Sequence, residues 1–336
     1  MEMIRGKDML YLSQGDIKSM GITMPQMIDL VEKVYTEKGN GRWAMPAKIA
    51  LHTLPDKFPG DFLHAMPAML PGLNAAGMKW VGGYENARLL GYPYISGLYI
   101  LNDIETGIPM SIMDCIWITT YRTGAVTGLT AKYLANPDSE VAGLIGTGVQ
   151  GRVNVEALSY TMPNLKEVRF FDHIDAAAEA YQAEMSERFP QITFKRVAKR
   201  EDAVVDCDLL LSCVPCSVEP GIEFIEPDMI KKGATALPVD DLVLYKPETV
   251  GGDTFDKKYT DDQGQFDHFQ SMGFFRTFKK TPEELGEAII GKVARRESHD
   301  EKILTVNIGT GLCDVGSARF LYDMALEKGI GTKLAL

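Results

Sequence analysis

Gly146, Gly148 and Gly151 stand in a G-x-G-x-x-G spacing within Ala142-Gly143-Leu144-Ile145-Gly146-Thr147-Gly148-Val149-Gln150-Gly151. Glycines at these intervals can cradle a pyrophosphate. The first permits a tight turn, the second lets the backbone approach the phosphates, and the third lets a helix pack closely on a strand. An apolar run at 141–145 precedes the motif and a helical pattern at 153–160 follows it. The positive end of that helix would face the phosphate oxygens. Asp172 closes the next apolar run, at about the 20-residue distance where a ribose-binding acid belongs. A carboxylate there accepts hydrogen bonds from the 2′- and 3′-hydroxyls and repels a 2′-phosphate, which predicts NAD rather than NADP. Without a ligand, the same Asp172 reads as a turn or cap residue at a strand end.

The elements around the motif fit this chemistry. From residue 123 onward, strand and helix signals alternate. Helices are predicted at 123–134, 153–160 and 176–188. Strands are predicted at 141–145, 168–171, 193–197, 209–214, 234–239, 249–251 and 300–308. Alternation of this kind implies a doubly wound parallel sheet. A helix is predicted at 282–294 with Thr281 as its N-cap, and another at 315–328 ending at Gly329. The first third is α+β in character. It has a helix at 25–38 with a 3.6-residue apolar period, strands at 48–51, 62–66, 77–82 and 95–102, and a turn at Thr106-Gly107 with the chain returning over 109–114. The segment 261–268 reads as acidic and irregular, with His268 as a solvated side chain or a proton donor.

Composition narrows the class. The 336 residues suit two domains. A hydrophobic share of 45% with 24% charged residues matches a soluble globular enzyme. The net charge of −11 argues against nucleic acid as a partner, because phosphate backbones need a basic face. No run approaches a membrane span. Residues 1–12 contain no apolar stretch followed by a small-residue cleavage site. The five cysteines do not form a disulfide framework, so a reducing cytoplasm is expected. Cys213-Val-Pro-Cys216 is a CxxC, but it ends a strand instead of opening a helix and lacks a second pair for zinc. A loop at a strand end is the simpler reading, and no metal is expected.

Several further segments carry a family resemblance. Met45-Pro46-Ala47-Lys48, Met66-Pro67-Ala68, Gly77-Met78-Lys79-Trp80-Val81 and Tyr121-Arg122-Thr123-Gly124-Ala125 are such segments. With the GxGxQ start of the glycine-rich unit and the tail Ala325-Leu326-Glu327-Lys328-Gly329-Ile330-Gly331-Thr332, the chain resembles the ornithine cyclodeaminase/μ-crystallin family from near its start to its last residues. The resemblance implies a Rossmann NAD-binding domain, 123–302, and a second α+β substrate and dimerisation domain, 1–122 plus 303–336. It implies a homodimer and a small amino-acid or imino-acid substrate.

By the same resemblance, Lys79 and Arg122 match the residues that hold the substrate carboxylate, and Lys48 stands where cyclodeaminases carry an arginine. A guanidinium offers a carboxylate a planar fork, and an ammonium offers a point charge. Lys48 could instead be an ordinary strand-edge lysine, and Arg122 a structural ion-pair partner. Cofactor contacts fall on Gly146, Thr147, Gly148, Val149, Gln150, Gly151, Asp172 and Thr123. The cyclodeaminase aspartate falls in Ala236-Leu237-Pro238-Val239-Asp240-Asp241, on Asp240 or Asp241. The pocket for the substrate side chain depends on residues such as Tyr84, Tyr94 and Met113.

The implied reaction is hydride transfer between the α-carbon of an L-amino acid, or its imine, and NAD. Lys48 and the altered Asp240-Asp241 context favour an oxidoreductase. An ornithine cyclodeaminase type of ammonia-lyase with no net redox is one alternative, and a cofactor-dependent ligand-binding protein of the crystallin type is another.

Overall fold

The computed structural model describes residues 3–51, 60–215 and 221–336. The chain opens with strand β1 (Asp8–Leu12), helix α1 (Gln14–Ser19) and helix α2 (Met24–Gly39). Ser13 caps α1 by accepting from Asp16 N, and the Asp16 carboxylate in turn accepts from Ser13 N. Pro25 sits in the first turn of α2, where a missing N–H costs nothing. There follow β2 (Ile49–Leu51), β3 (Phe62–Leu70), β4 (Ala75–Gly83), the short helix α3 (Glu85–Leu89), β5 (Ile95–Asn102), β6 (Pro109–Asp114) and the long helix α4 (Ile116–Leu134). Helix α4 starts at Ile116, about two turns before the expected 123. Its first turn runs through Ile116-Trp117-Ile118, so Arg122 lies on a helix.

Next come β7 (Val141–Ile145), α5 (Val149–Thr161), β8 (Glu167–Phe171), α6 (Asp175–Arg188), β9 (Thr193–Arg196), β10 (Leu209–Ser212), β11 (Thr235–Ala236), α7 (Pro247–Gly251), β12 (Lys257–Thr260), α8 (Gln263–Ser271), β13 (Glu283–Glu284), α9 (Leu285–Ile289) and β14 (Ile303–Val306). The chain closes with α10 (Gly311–Lys328) and β15 (Thr332–Ala335). It divides into two compact units. One comprises Met1–Arg122 with Gly309–Leu336, and the other Thr123–Ile308. The return to the first unit comes later than 303 because β14 is a paired strand of the second unit's sheet.

The second unit is an eight-stranded sheet in the order β13-β12-β14-β11-β10-β7-β8-β9. Every adjacent pair in it is parallel. The strand order reverses between β7 and β10, which is the switch point at which doubly wound sheets bind ligands. The unit is therefore a Rossmann fold. The first unit is a seven-stranded sheet, β15-β1-β6-β5-β4-β3-β2, antiparallel except where β1 meets β6. Helix α10 packs on α2 and on strands β3 and β4. No helix among the described residues is long and apolar enough to cross a membrane.

Three expected elements differ. Residues 249–251 belong to helix α7 and not to a strand, because Pro247 in its first turn pre-sets the helical φ. The expected helix 282–294 shrinks to α9. Glu283 and Glu284 pair with β12, and Gly291, at φ +80°, turns the chain beyond the helix end. Thr281 does not cap it but donates to Asp267. The acidic segment 261–268 is ordered. Asp262 accepts from Gln265 N at 2.6 Å and caps α8, which carries His268. Cys216 lies outside the described residues.

Close backbone approach shapes the second unit. A Cβ on Gly143 of β7 would lie 1.8 Å from the carbonyl oxygen of Ala203. Backbone cannot yield as a flexible side chain does. Gly143→Ala is expected to destabilise the second unit by about 1–3 kcal/mol, read as a lowered Tm.

Candidate active site

One face of the first sheet holds a charged residue in an apolar row. Strand register aligns Met66, Lys79, Tyr99, Met113 and Leu12 side by side. All five are buried, and Lys79 is 1% exposed. An ammonium in such a row needs a counter-charge. Helix α10 supplies it: Asp314 Oδ2 lies 2.8 Å from Lys79 Nζ, and Asp314 itself is 0% exposed. Arg122 reaches the same carboxylate from α4, with Nε 3.1 Å from Oδ1. Thr119, one turn before Arg122, places its Oγ1 3.4 Å from Lys79 Nζ. Burial pushes the Lys79 ammonium below its ordinary value, and Asp314 works in the opposite direction. Continuing the β2–β3 register sets Lys48 beside Met66 in the same row, and Lys48 is buried. Arg122 is less deeply buried than Lys79 and Asp314, with 11% of its side chain exposed. Asp314 gave no signal in the sequence, because it lies just before the expected helix 315–328, where a lone acid is ordinary.

Gly309 makes room for this arrangement. Its φ of +88° suits glycine, and a Cβ there would lie 2.9 Å from Arg122 Nη1.

In the second unit, the loop between β7 and α5 carries the glycines. Gly146 takes φ +91°, and a Cβ on it would meet Cys213 O at 2.6 Å. A Cβ on Gly151 would lie 2.3 Å from Gly146 O, which is the close helix–strand contact the motif requires. A Cβ on Gly148 would meet nothing within 4 Å, so the loop backbone opens onto free space at the N-terminus of α5. No side chain caps that N-terminus. An anion such as a pyrophosphate fits there.

Asp172 follows β8. Its Oδ2 accepts from both Thr147 N and Thr147 Oγ1 at 2.8 Å, and its Oδ1 accepts from Ile174 N at 3.0 Å. Burial alone would raise this carboxyl, but these bonds hold it below the ordinary range and keep it ionised. Arg152, overlooked in the sequence, donates to the carbonyls of Thr147 and Gly148 and anchors on Glu184 of α6 at 2.7 Å. Thr123 follows Arg122 on α4 as the first residue of the second unit.

Asp240 and Asp241 separate clearly. Asp240 is 1% exposed and accepts from Ser212 Oγ at 2.9 Å. Ser212 ends β10, so Asp240 stands at the switch point, beside the strand that flanks the glycine loop. Burial pushes its carboxyl up to about 7, against the Ser212 hydrogen bond. Asp241 and Leu242 both adopt positive φ, at 54° and 68°. Strain of this kind persists where the surroundings over-determine the backbone. Cys213 is half-buried, and burial pushes its thiol well above the ordinary range, away from the thiolate form. Two surface clefts, of about 610 and 260 Å³, include Lys232 and border the N-terminal ends of the strands, away from the glycine loop. Among the described residues no cluster of three or more metal-ligating side chains is present.

Two tests follow from this geometry. Gly309→Ala is expected to strain the backbone and displace Arg122, lowering substrate affinity while dinucleotide binding by the full chain, followed by fluorescence, stays unchanged. Asp240 binds its proton more tightly folded than unfolded. Its contribution is therefore lost as pH rises from about 4 through about 7. Asp240→Asn should flatten the fall in Tm across that window, and an unaltered Tm–pH curve would show that Asp240 ionises normally.

Known proteins match this architecture along nearly the whole chain. The alanine dehydrogenase of Archaeoglobus fulgidus is 31% identical, over 97% of this chain and 98% of its own. The Thermococcus litoralis Δ1-pyrroline-2-carboxylate reductase, solved with NADH and L-proline, superposes with a TM-score of 0.84 at 28% identity. That match covers 96% of this chain and 99% of the other. An archaeal alanine dehydrogenase dimer with bound NAD gives a TM-score of 0.80 at 28% identity, covering 97% and 99%. The model of the ornithine cyclodeaminase/mu-crystallin family matches residues 8–329, and the chain belongs to that family.

Proposed function

We propose that the chain is an NAD-dependent oxidoreductase of amino-acid and imino-acid metabolism that moves a hydride between the α-carbon of an L-amino acid, or its imine, and NAD. The observation that carries this reading is the pair of cations, Lys79 and Arg122, sharing one fully buried carboxylate. Arg122 takes the substrate carboxylate in its planar fork. Lys79 beneath it, with Lys48 along the row, adds positive charge where water is scarce and attraction is strong. Fixing the carboxylate fixes the direction of the α-carbon–hydrogen bond, which hydride transfer demands.

Gly146, Thr147, Gly148, Val149, Gln150 and Gly151 hold the pyrophosphate of NAD, and Asp172 holds its adenosine ribose. Thr123 adds a contact from α4. When bound, NAD supplies the acceptor or donor of the hydride. Asp240, with its carboxyl near 7, is able to give or take a proton at neutral pH. Asp240 is the better candidate of the two acids because its carboxylate is held by Ser212 at the switch point.

The chain acts as a homodimer in this reading. The sheet face turned away from α10 aligns Ile49, Ala65, Trp80 and Leu98 in one row. Ile49, Trp80 and Leu98 are exposed, as are Leu51 and Tyr11 on the same face. An apolar strip of this kind on a sheet marks an association surface, and a second copy of the chain covers it.

Incubation with NAD⁺ and a panel of L-amino acids, counting ammonia and NADH together, tests the reaction. Matching amounts of both establish a dehydrogenase. Ammonia without net NADH establishes a cyclodeaminase instead. Consumption of NADH with a cyclic imine establishes an imine reductase, whereas ligand binding with no turnover on any substrate supports the crystallin-type reading. Arg122→Ala is expected to lower kcat/KM by about 30-fold or more with NADH affinity retained. Asp172→Ala should erode the preference for NAD over NADP. Trp80→Glu should yield monomers by light scattering, and a persistent dimer would move the interface elsewhere.

A further inference from the structure

Asp314 touches both Lys79 and Arg122, and it does so from a third element. Helix α10 begins at Gly311, with Thr310 as its N-cap accepting from Cys313 N at 3.3 Å. Asp314 thus sits in the first turn, where the helix dipole favours a negative charge. Its carboxylate divides cleanly, Oδ1 to Arg122 Nε and Oδ2 to Lys79 Nζ. Helix α10 approaches closely here because Gly311 and Gly316 carry no side chain. A Cβ on Gly311 would lie 3.2 Å from Ala68 Cβ, and one on Gly316 would lie 2.7 Å from a Val34 methyl.

We propose that Asp314 is the positioning residue of the carboxylate site: shared between Lys79 and Arg122, it keeps the lysine charged and aims the guanidinium, so that an anionic substrate meets a preformed cationic pair. The proposal rests on the reading of Lys79 and Arg122 as the substrate anchor, but the state of Lys79 can be measured without any substrate. The groups facing Lys79 are Asp314 from α10, Arg122 and Thr119 from α4, Cys115 just before α4, and Tyr99 from β5. Arg122 and burial both act against the lysine's charge. Cys115 and Tyr99 are themselves pushed up by burial and so contribute no negative charge near neutrality. Of these groups, Asp314 alone carries the compensating charge.

The test follows Lys79 by NMR in full-length protein labelled with [6-¹³C]lysine, its resonance assigned by its loss in Lys79→Arg. In the wild type the resonance should report a charged ammonium through neutral pH. A neutral Lys79 at pH 7 would overturn the proposal with no need of a variant. In Asp314→Asn the titration midpoint should fall by roughly one pH unit or more, and the alkaline limb of kcat/KM should fall with it. NADH affinity, measured by fluorescence, should stay within about twofold, which confirms a folded chain. An unmoved midpoint in a folded Asp314→Asn protein would reduce Asp314 to a structural anchor. If the midpoint moves but no substrate turns over in the wild type, the role of Asp314 in charging Lys79 stands, and the proposed reaction falls.

Discussion

A lysine that is 1% exposed inside an apolar sheet row is the constraint around which the first unit is built. Removing either partner of such a buried pair costs about 3–5 kcal/mol, because the other charge is left uncompensated. The sheet must therefore present Lys79 to α10, and α10 must present Asp314 to the sheet. Register does the first. A slip of one residue in β4 would turn Lys79 outward and Trp80 inward. Small residues do the second, letting α10 settle close to β3 and α2. A pair of apolar residues of equal volume would hold these elements together at least as well, so stability alone does not account for an ion pair here.

The second unit is governed by backbone contact instead of charge. Three glycines let β7, the phosphate loop and α5 approach neighbouring carbonyls more closely than any side chain allows. Asp172 and Arg152 then hold the loop, one accepting from its Thr147 N–H and hydroxyl and the other donating to its carbonyls. Both contacts come from the protein itself, and a loop held in this way loses less freedom on binding.

The two parts differed in how far the sequence revealed them. The Rossmann unit was readable because its signals are local: a buried strand, glycines at fixed intervals, then an acid about 20 residues on. The segments that resemble the family marked Lys79 and Arg122, but neither periodicity nor spacing pointed to Asp314. Arg122 and Asp314 are 192 residues apart, and only folding makes them neighbours. Strands β1 and β15 escaped notice for the same reason, since their hydrogen-bond partners come from opposite ends of the chain. Residues 249–251 suggested a strand by composition, and Pro247 before them decided otherwise. Asp262 had the signature of a helix cap, but the surrounding acids made the segment look like solvated loop.

The first unit takes its strands from both ends of the chain, with the whole second unit inserted between them. During synthesis the ribosome releases Lys79 long before Asp314 exists. Domains fold as they emerge, so the Rossmann unit can close while the first sheet still lacks α10 and its edge strand β15. A chain that has reached only Ile308 holds Lys79 without the counter-ion that Asp314 supplies. The counter-ion of Lys79 therefore arrives only with α10, after the whole Rossmann unit has been made.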